Sequence, residues 1–224
     1  MIELRNVRHR FGEREVLRGI DLSLGERRVA VVGSNGSGKS TLARLLNGLV
    51  LPSEGRVLVD GLDTRNDARA VRRRVGFVFQ DPDVQIVYPT VGEDIAFGLK
   101  NLRLPRDEIA RRVDAVLARF GLTGHRDWPA HLLSGGQKQL LAIASVLVLE
   151  PAYVVFDEPT TLLDLRNRRH IAQVIRDLPE NAIVVSHDLD LVAEAERVIV
   201  LDEGRVVADD APAPAIAAYL ARMG

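Results

Sequence analysis

At 224 residues, 46% of them apolar and 27% charged, the chain can form one α/β domain, or a core domain with a smaller insertion. Its 30 basic and 31 acidic residues leave a net charge of −1, so the basic excess of phosphate-backbone binders is missing and no nucleic-acid partner is expected. The absence of cysteine excludes disulfides and thiolate metal sites and fits a reducing cytosol.

In chain order, IELRNVRH, VLRGIDLSL and RVAVVG read as short strands, the last an apolar run suited to a sheet covered on both faces. A helix is predicted from Lys39 to about Gly48, then a strand pair at 56–59 and 75–79. The Arg72–Arg73–Arg74 run reads as a solvated helix face rather than a nucleic-acid patch. From about 90 to 130 the pattern turns helical, with Pro105 opening the amphipathic DEIARRVDAVLARFGL. A helix runs from Gly136 to about Leu149. Then AYVVFD, AIVVSHD and RVIVLDEGRVVAD are three strand–helix alternations, which imply a mostly parallel sheet. The helical block at about 81–147 interrupts that rhythm and reads as a subdomain inserted into a core of about 1–80 and 148–224. APAPAIAAYLARMG closes the chain as a short exposed helix. The start, MIELRNVRHRFG, lacks a signal-peptide core. LLAIASVLVL at 140–149 is about half a bilayer span, so membrane association would run through a partner.

Three motifs carry chemistry. GSNGSGKS (Gly33, Ser34, Asn35, Gly36, Ser37, Gly38, Lys39, Ser40), followed by Thr41, lies between the strand VAVV and a helix. Glycines there let backbone N–H groups cradle phosphates at a helix N-terminus, Lys39 reaches the outer phosphates and Ser40 offers its hydroxyl to Mg2+. YVVFDEPT ends an apolar strand in Asp157, suited to Mg2+ through water, and Glu158, suited to activating an attacking water. LSGGQ (Ser134, Gly135, Gly136, Gln137) opens an apolar helix; Ser134 is either a plain N-cap or part of a second anion-seeking helix end. Two such ends on one nucleotide are most naturally met by a second copy of the chain.

Together these residues resemble the nucleotide-binding domain of ATP-binding cassette (ABC) proteins over nearly the whole chain: Walker A in GSNGSGKS, the signature in LSGGQ, Walker B and D-loop in VVFDEPTTLLD. The resemblance implies a P-loop NTPase core with a mostly parallel sheet, an N-terminal antiparallel β part and an inserted α-helical subdomain. It implies ATP and Mg2+ as cofactors, and a head-to-tail homodimer with ATP sandwiched between subunits. Each ATP would touch Lys39, Ser40, Gln80, Glu158 and His187 of one copy and Ser134 and Gly136 of the other, with Phe11 stacked on adenine; Mg2+ would be held by Ser40, Gln80 and Asp157. His187 falls at the switch-histidine position, with a polar strand-end cap as its alternative. Asp164 either crosses the dimer interface or caps the next helix. His125 and His131 are read as surface residues.

Phe11 replaces the commoner tyrosine, Leu162 a small D-loop residue, and Ser145 an arginine. FQDPDVQIVYPTVGEDIAFG (79–98) resembles energy-coupling-factor (ECF) importers of vitamins and metal ions, with Gly92 in a variable slot. It implies partnership with a transmembrane coupling subunit and a substrate-binding membrane subunit, and a peripheral place on the cytoplasmic face of the cell membrane. Val84, Ile86, Val87 and Tyr88 form the expected dock for a basic or apolar coupling helix, with an ordinary packed loop as the alternative and charge reversal at Asp94 or Tyr88→Ala as the probe. The short C-terminal part resembles the ATPase of biotin transporters more than the longer cobalt-type forms, with cobalt or nickel as the next solutes.

Overall fold

The structure, a computed structural model, describes residues 1–223, which fall into two compact units. Of these residues, one unit comprises 1–77, 152–158 and 176–223; the other comprises 78–151 and 159–175.

In the first unit, β1 (Ile2–Phe11) and β2 (Arg14–Leu24) form a long antiparallel hairpin. β1 buries Ile2, Leu4, Val7 and His9 at near-alternate positions, so one face of the ribbon supplies core. β4 (Glu54–Val59) pairs with β1, and the short β5 (Leu62–Asp63) completes a sheet ordered β2-β1-β4-β5.

The second sheet is ordered β10-β9-β3-β8-β7-β6. It is built from β3 (Arg28–Gly33), β6 (Val75–Val78), β7 (Tyr153–Asp157), β8 (Asn181–Val185), β9 (Arg197–Asp202) and β10 (Arg205–Asp210). β3 is parallel to both β8 and β9, and β7 is parallel to β8. Val29–Val32 and Tyr153–Asp157 are buried without a break, which explains their lack of alternation. The parallel strands therefore deliver Gly33, Asp157 and the Ser186–His187 segment from the same ends, where ligands of open α/β sheets bind. α1 (Lys39–Leu46), α2 (Ala68–Arg74) and the short α7 (Leu189–Val192) complete this unit with α8 (Pro212–Met223).

Four features differ from the sequence reading. The strands at 54–59 and 75–78 do not pair; they lie in different sheets. RVIVLDEGRVVAD folds as the antiparallel hairpin β9–β10, because Glu203 and Gly204 both turn with positive φ, leaving no room for a crossover helix. The C-terminal helix is not simply exposed: Ala215 is fully buried, and Ile216 and Tyr219 pack with it on Val198 and Val200. The helical unit also takes in 159–175, which includes most of α6 (Leu165–Arg176).

That second unit contains α3 (Val91–Lys100), α4 (Arg106–Arg119) and α5 (Gly135–Leu147), with α3 packed on both others. α3 starts where Thr90 Oγ1 accepts from Glu93 N–H. α5 buries residues on nearly all sides, which accounts for the apolar run LLAIASVL.

Candidate nucleotide site

The loop from β3 to α1 depends on glycine at two points. A Cβ on Gly33 would lie 2.0 Å from the Leu201 carbonyl oxygen and 2.7 Å from Ser37 Oγ. Gly38 caps α1 with φ 103°, and a Cβ there would come within 2.8 Å of Leu17 Cδ2. Gly36 also has positive φ, while Asn35 and Gly36 face solvent. Lys39 is buried and folds back, its Nζ donating to the carbonyls of Gly33 (2.8 Å) and Ser34 (2.9 Å). Burial lowers its pKa, with Glu158 and Asp157 opposing the shift. Ser37 Oγ is buried without a partner among the described residues. A cradle too tight for side chains, with a buried hydroxyl and an ammonium bonded only to carbonyls, fits a bound polyphosphate.

β7 carries the acidic pair into the same unit. Ser40 Oγ donates to Asp157 Oδ1 at 2.8 Å, and Arg44 Nη2 lies 3.8 Å from Oδ2. Burial raises the Asp157 pKa, against the Ser40 hydrogen bond and Arg44. These two hard oxygens suit Mg2+. Among the described residues there is no cluster of three His, Cys, Asp or Glu able to hold a metal, so Mg2+ here would draw most of its remaining ligands from phosphate and water.

Glu158 adopts φ 53°, a left-handed conformation that costs a non-glycine residue roughly 1–2 kcal/mol. Its N–H donates to Val185 O at 2.9 Å, fixing the turn. His187 Nδ1 lies 2.8 Å from Glu158 Oε2, with Glu158 nearly buried and His187 half-exposed. The strain is thus spent holding a carboxylate against an imidazole at the strand ends.

Phe11, at the end of β1, is 55% exposed and so presents a free aromatic face. Its ring sits edge-to-face with His9, 4.6 Å between centroids. His9 is buried, with Nδ1 3.0 Å from Leu51 O, a support that sequence inspection did not single out.

The other predicted residues belong to the helical unit. Ser134 caps α5 through a capping box with Gln137, the first of the two readings offered for it, and the box leaves the hydroxyl hydrogen free for an anion. Asp164 caps α6: Oδ1 accepts from Asn167 N–H at 2.8 Å and Oδ2 from Asn167 Nδ2 at 3.0 Å. Asn167 so held abuts Gly136, where a Cβ would lie 2.3 Å from Asn167 Oδ1. That packing explains the second glycine of LSGGQ and links it to the D-loop. Gln80 is exposed and lines a cavity of about 190 Å³ with Gly135, Lys138, Gln139, Leu162 and Leu163.

Residues 79–98 are anchored at several points. Gln85 accepts from Phe79 N–H (3.1 Å) and donates to Ala142 O on α5 (2.8 Å). Val84 and Val87 are 65% exposed, while Tyr88 stacks on Phe97 beneath Lys100. Asp94 is not a surface charge: it is buried, accepting from Val87 N–H, Tyr88 N–H and Ser145 Oγ. Ser145 thus has a specific partner where the resemblance leads one to expect arginine. Gly92 is closely packed: a Cβ would stand 3.1 Å from Arg126 O, to which Gly92 N–H donates. His125, read as a surface residue, is half-buried and bonded to Gln137.

A glycine-rich loop between β3 and α1, with an acidic pair ending the parallel strand β7 on the far side of β8, defines a P-loop nucleoside triphosphatase. The ABC transporter family matches residues 17–161. A Deinococcus radiodurans protein, named no further than as an ABC transporter ATP-binding protein, is 64% identical over all of this chain and 99% of its own. The biotin transport ATP-binding protein BioM of Rhizobium etli is 51% identical over 93% of each chain. The cobalt import ATP-binding protein CbiO of Syntrophus aciditrophicus is 45% identical over 95% of this chain and 79% of its own. Among solved structures, the dimeric post-hydrolysis cassette MJ0796 with ADP and Pi aligns with a TM-score of 0.82 and 29% identity, over 95% of this chain and 99% of that one. The chain belongs to the ABC transporter family, as one of its ATPase cassettes. No helix among the described residues is long and apolar enough to cross a membrane.

Proposed function

We propose that this chain is the ATP-hydrolysing subunit of an ECF-type importer, working as a head-to-tail homodimer on the cytoplasmic face of the membrane, with biotin as the transported solute. The observation that carries the catalytic reading is the Glu158–His187 pair, 2.8 Å apart, in the unit that also holds Lys39 and the Ser40–Asp157 bond. Phe11 stacks on adenine. Lys39 exchanges its carbonyl partners for phosphate oxygens, and the Ser37 hydroxyl and loop N–H groups complete the cradle. Ser40, Asp157 and Gln80 would hold Mg2+, which on binding offsets charge on the phosphates.

Glu158 takes a proton from water as the water oxygen bonds to the γ-phosphorus. The bond from that phosphorus to the bridging oxygen breaks, and ADP leaves with the electron pair. His187 orients the Glu158 carboxylate and contacts the γ-phosphate. Ser134 and Gly136 of a second copy close the site, each as part of a helix N-terminus, and Asp164 shapes that surface from α6. The exposed Val84 and Val87 form the dock for a transmembrane coupling subunit, which works with a solute-binding membrane subunit.

The solute reading is supported by the 51% identity to BioM. Cobalt or nickel is the second reading, supported by the 45% identity to CbiO. Uptake in cells carrying the chain with its neighbouring membrane-protein genes tests both: labelled biotin should enter and resist competition by cobalt and nickel. Lys39→Ala should abolish that uptake. Normal uptake with that variant would refute the motor assignment, and metal uptake without biotin uptake would refute the solute.

A further inference from the structure

The serine of LSGGQ rests on a histidine nine residues earlier in the helical unit. In the capping box, Ser134 N–H donates to Gln137 Oε1 at 2.9 Å, and Ser134 Oγ accepts from Gln137 N–H at 3.3 Å. Because Oε1 is thereby committed to Ser134, the Gln137 amide presents its NH2 group to His125 Nε2, 3.1 Å away. That nitrogen then accepts, which leaves the ring proton of His125 on Nδ1, a buried atom with no hydrogen-bond partner among the described residues. The ring is held edge-on against Trp128, 4.6 Å between centroids, and Trp128 N–H donates to His125 O at 2.9 Å.

We propose that His125 is a positioning residue for ATP hydrolysis: by fixing the Gln137 amide it fixes the Ser134 rotamer, so that the serine hydroxyl hydrogen points away from α5 toward the γ-phosphate held by the partner copy. Without His125, the amide can rotate and offer its NH2 to Ser134 N–H, which cannot accept it, and the cap opens. None of the hydrogen bonds of this relay involves Lys39 or the phosphate loop, so nucleotide affinity of a single copy should be unaffected. The inference rests on the proposed cassette function, in which Ser134 acts across a dimer.

The test compares the full-length wild-type chain with His125→Ala and His125→Gln, whose side-chain oxygen can still accept from Gln137. Steady-state phosphate release from Mg-ATP, affinity for a fluorescent ATP analogue and the melting temperature are measured for each. Loss of one hydrogen bond of this kind corresponds to a fall in kcat of about three- to tenfold in His125→Ala. Analogue affinity should stay within about twofold, and His125→Gln should recover most of the rate. An unchanged kcat in His125→Ala would overturn the proposal. So would no recovery in His125→Gln, or loss of analogue affinity and melting temperature in step with kcat. Absence of hydrolysis by the wild-type chain would instead refute the cassette function beneath it.

Discussion

Replacing Glu158 by glutamine separates chemistry from architecture at this site. The amide keeps the side-chain volume and an oxygen able to accept from His187 Nδ1, now 2.8 Å from Oε2. The backbone at φ 53° and the Glu158 N–H to Val185 O bond are untouched. Stability should therefore stay within about 0.5 kcal/mol of wild type. What disappears is the proton acceptor. General-base catalysis contributes about 10²–10⁴ in rate, or roughly 2.7–5.4 kcal/mol of barrier, and kcat should fall by that factor. Phosphate release gives the rate, and size-exclusion chromatography with Mg-ATP should show a dimer that outlasts the wild-type one. Glu158→Gly is the control: it relieves the left-handed strain of about 1–2 kcal/mol yet also removes the base. A glycine variant that folds normally but does not turn over assigns the loss to chemistry. A Glu158→Gln variant with kcat within about tenfold of wild type would refute Glu158 as the base and leave His187 to be tried in that role.

Asp157→Asn removes a carboxylate whose pKa is raised by burial. Because the folded value lies above the unfolded one, the wild-type chain binds more protons folded, and Asp157 makes stability fall as pH rises from the ordinary carboxylate range through the raised value. Asp157→Asn without ligand should melt higher at neutral pH, with the gain vanishing in acid, and should lose Mg-dependent hydrolysis. Gly136→Ala pushes a methyl to 2.3 Å from Asn167 Oδ1, displacing the Asp164–Asn167 cap of α6; denaturant unfolding should show a loss of about 1–3 kcal/mol. Asp94→Ala removes the acceptor of the part-buried N–H groups of Val87 and Tyr88 and of Ser145 Oγ and should cost about 1–3 kcal/mol by the same measurement. Phe11→Ala should raise the KM for ATP while leaving kcat near wild type, since the ring offers stacking area and no group to the phosphates.

The sequence by itself determined the phosphate loop, the acidic strand end and the signature turn. Each is a local motif whose glycines, apolar run and cap dictate a strand–loop–helix or strand–turn conformation within about ten residues. It also determined the sheet class, because the runs VAVV and YVVF need cover on both faces. Only tertiary structure decided which strands pair. The segments at 54–59 and 75–78 have similar patterns yet join different sheets, since strand partnership depends on the surface each buries rather than on its own periodicity. Tertiary structure likewise turned Asp94 inward and gave Ser145 a partner, placed His9 beneath Phe11 and seated His125 behind the signature glutamine. No spacing rule announces such bonds. They join residues 51, 42 and 12 positions apart, and a side chain that far along the chain is chosen by packing geometry, which the linear order does not contain.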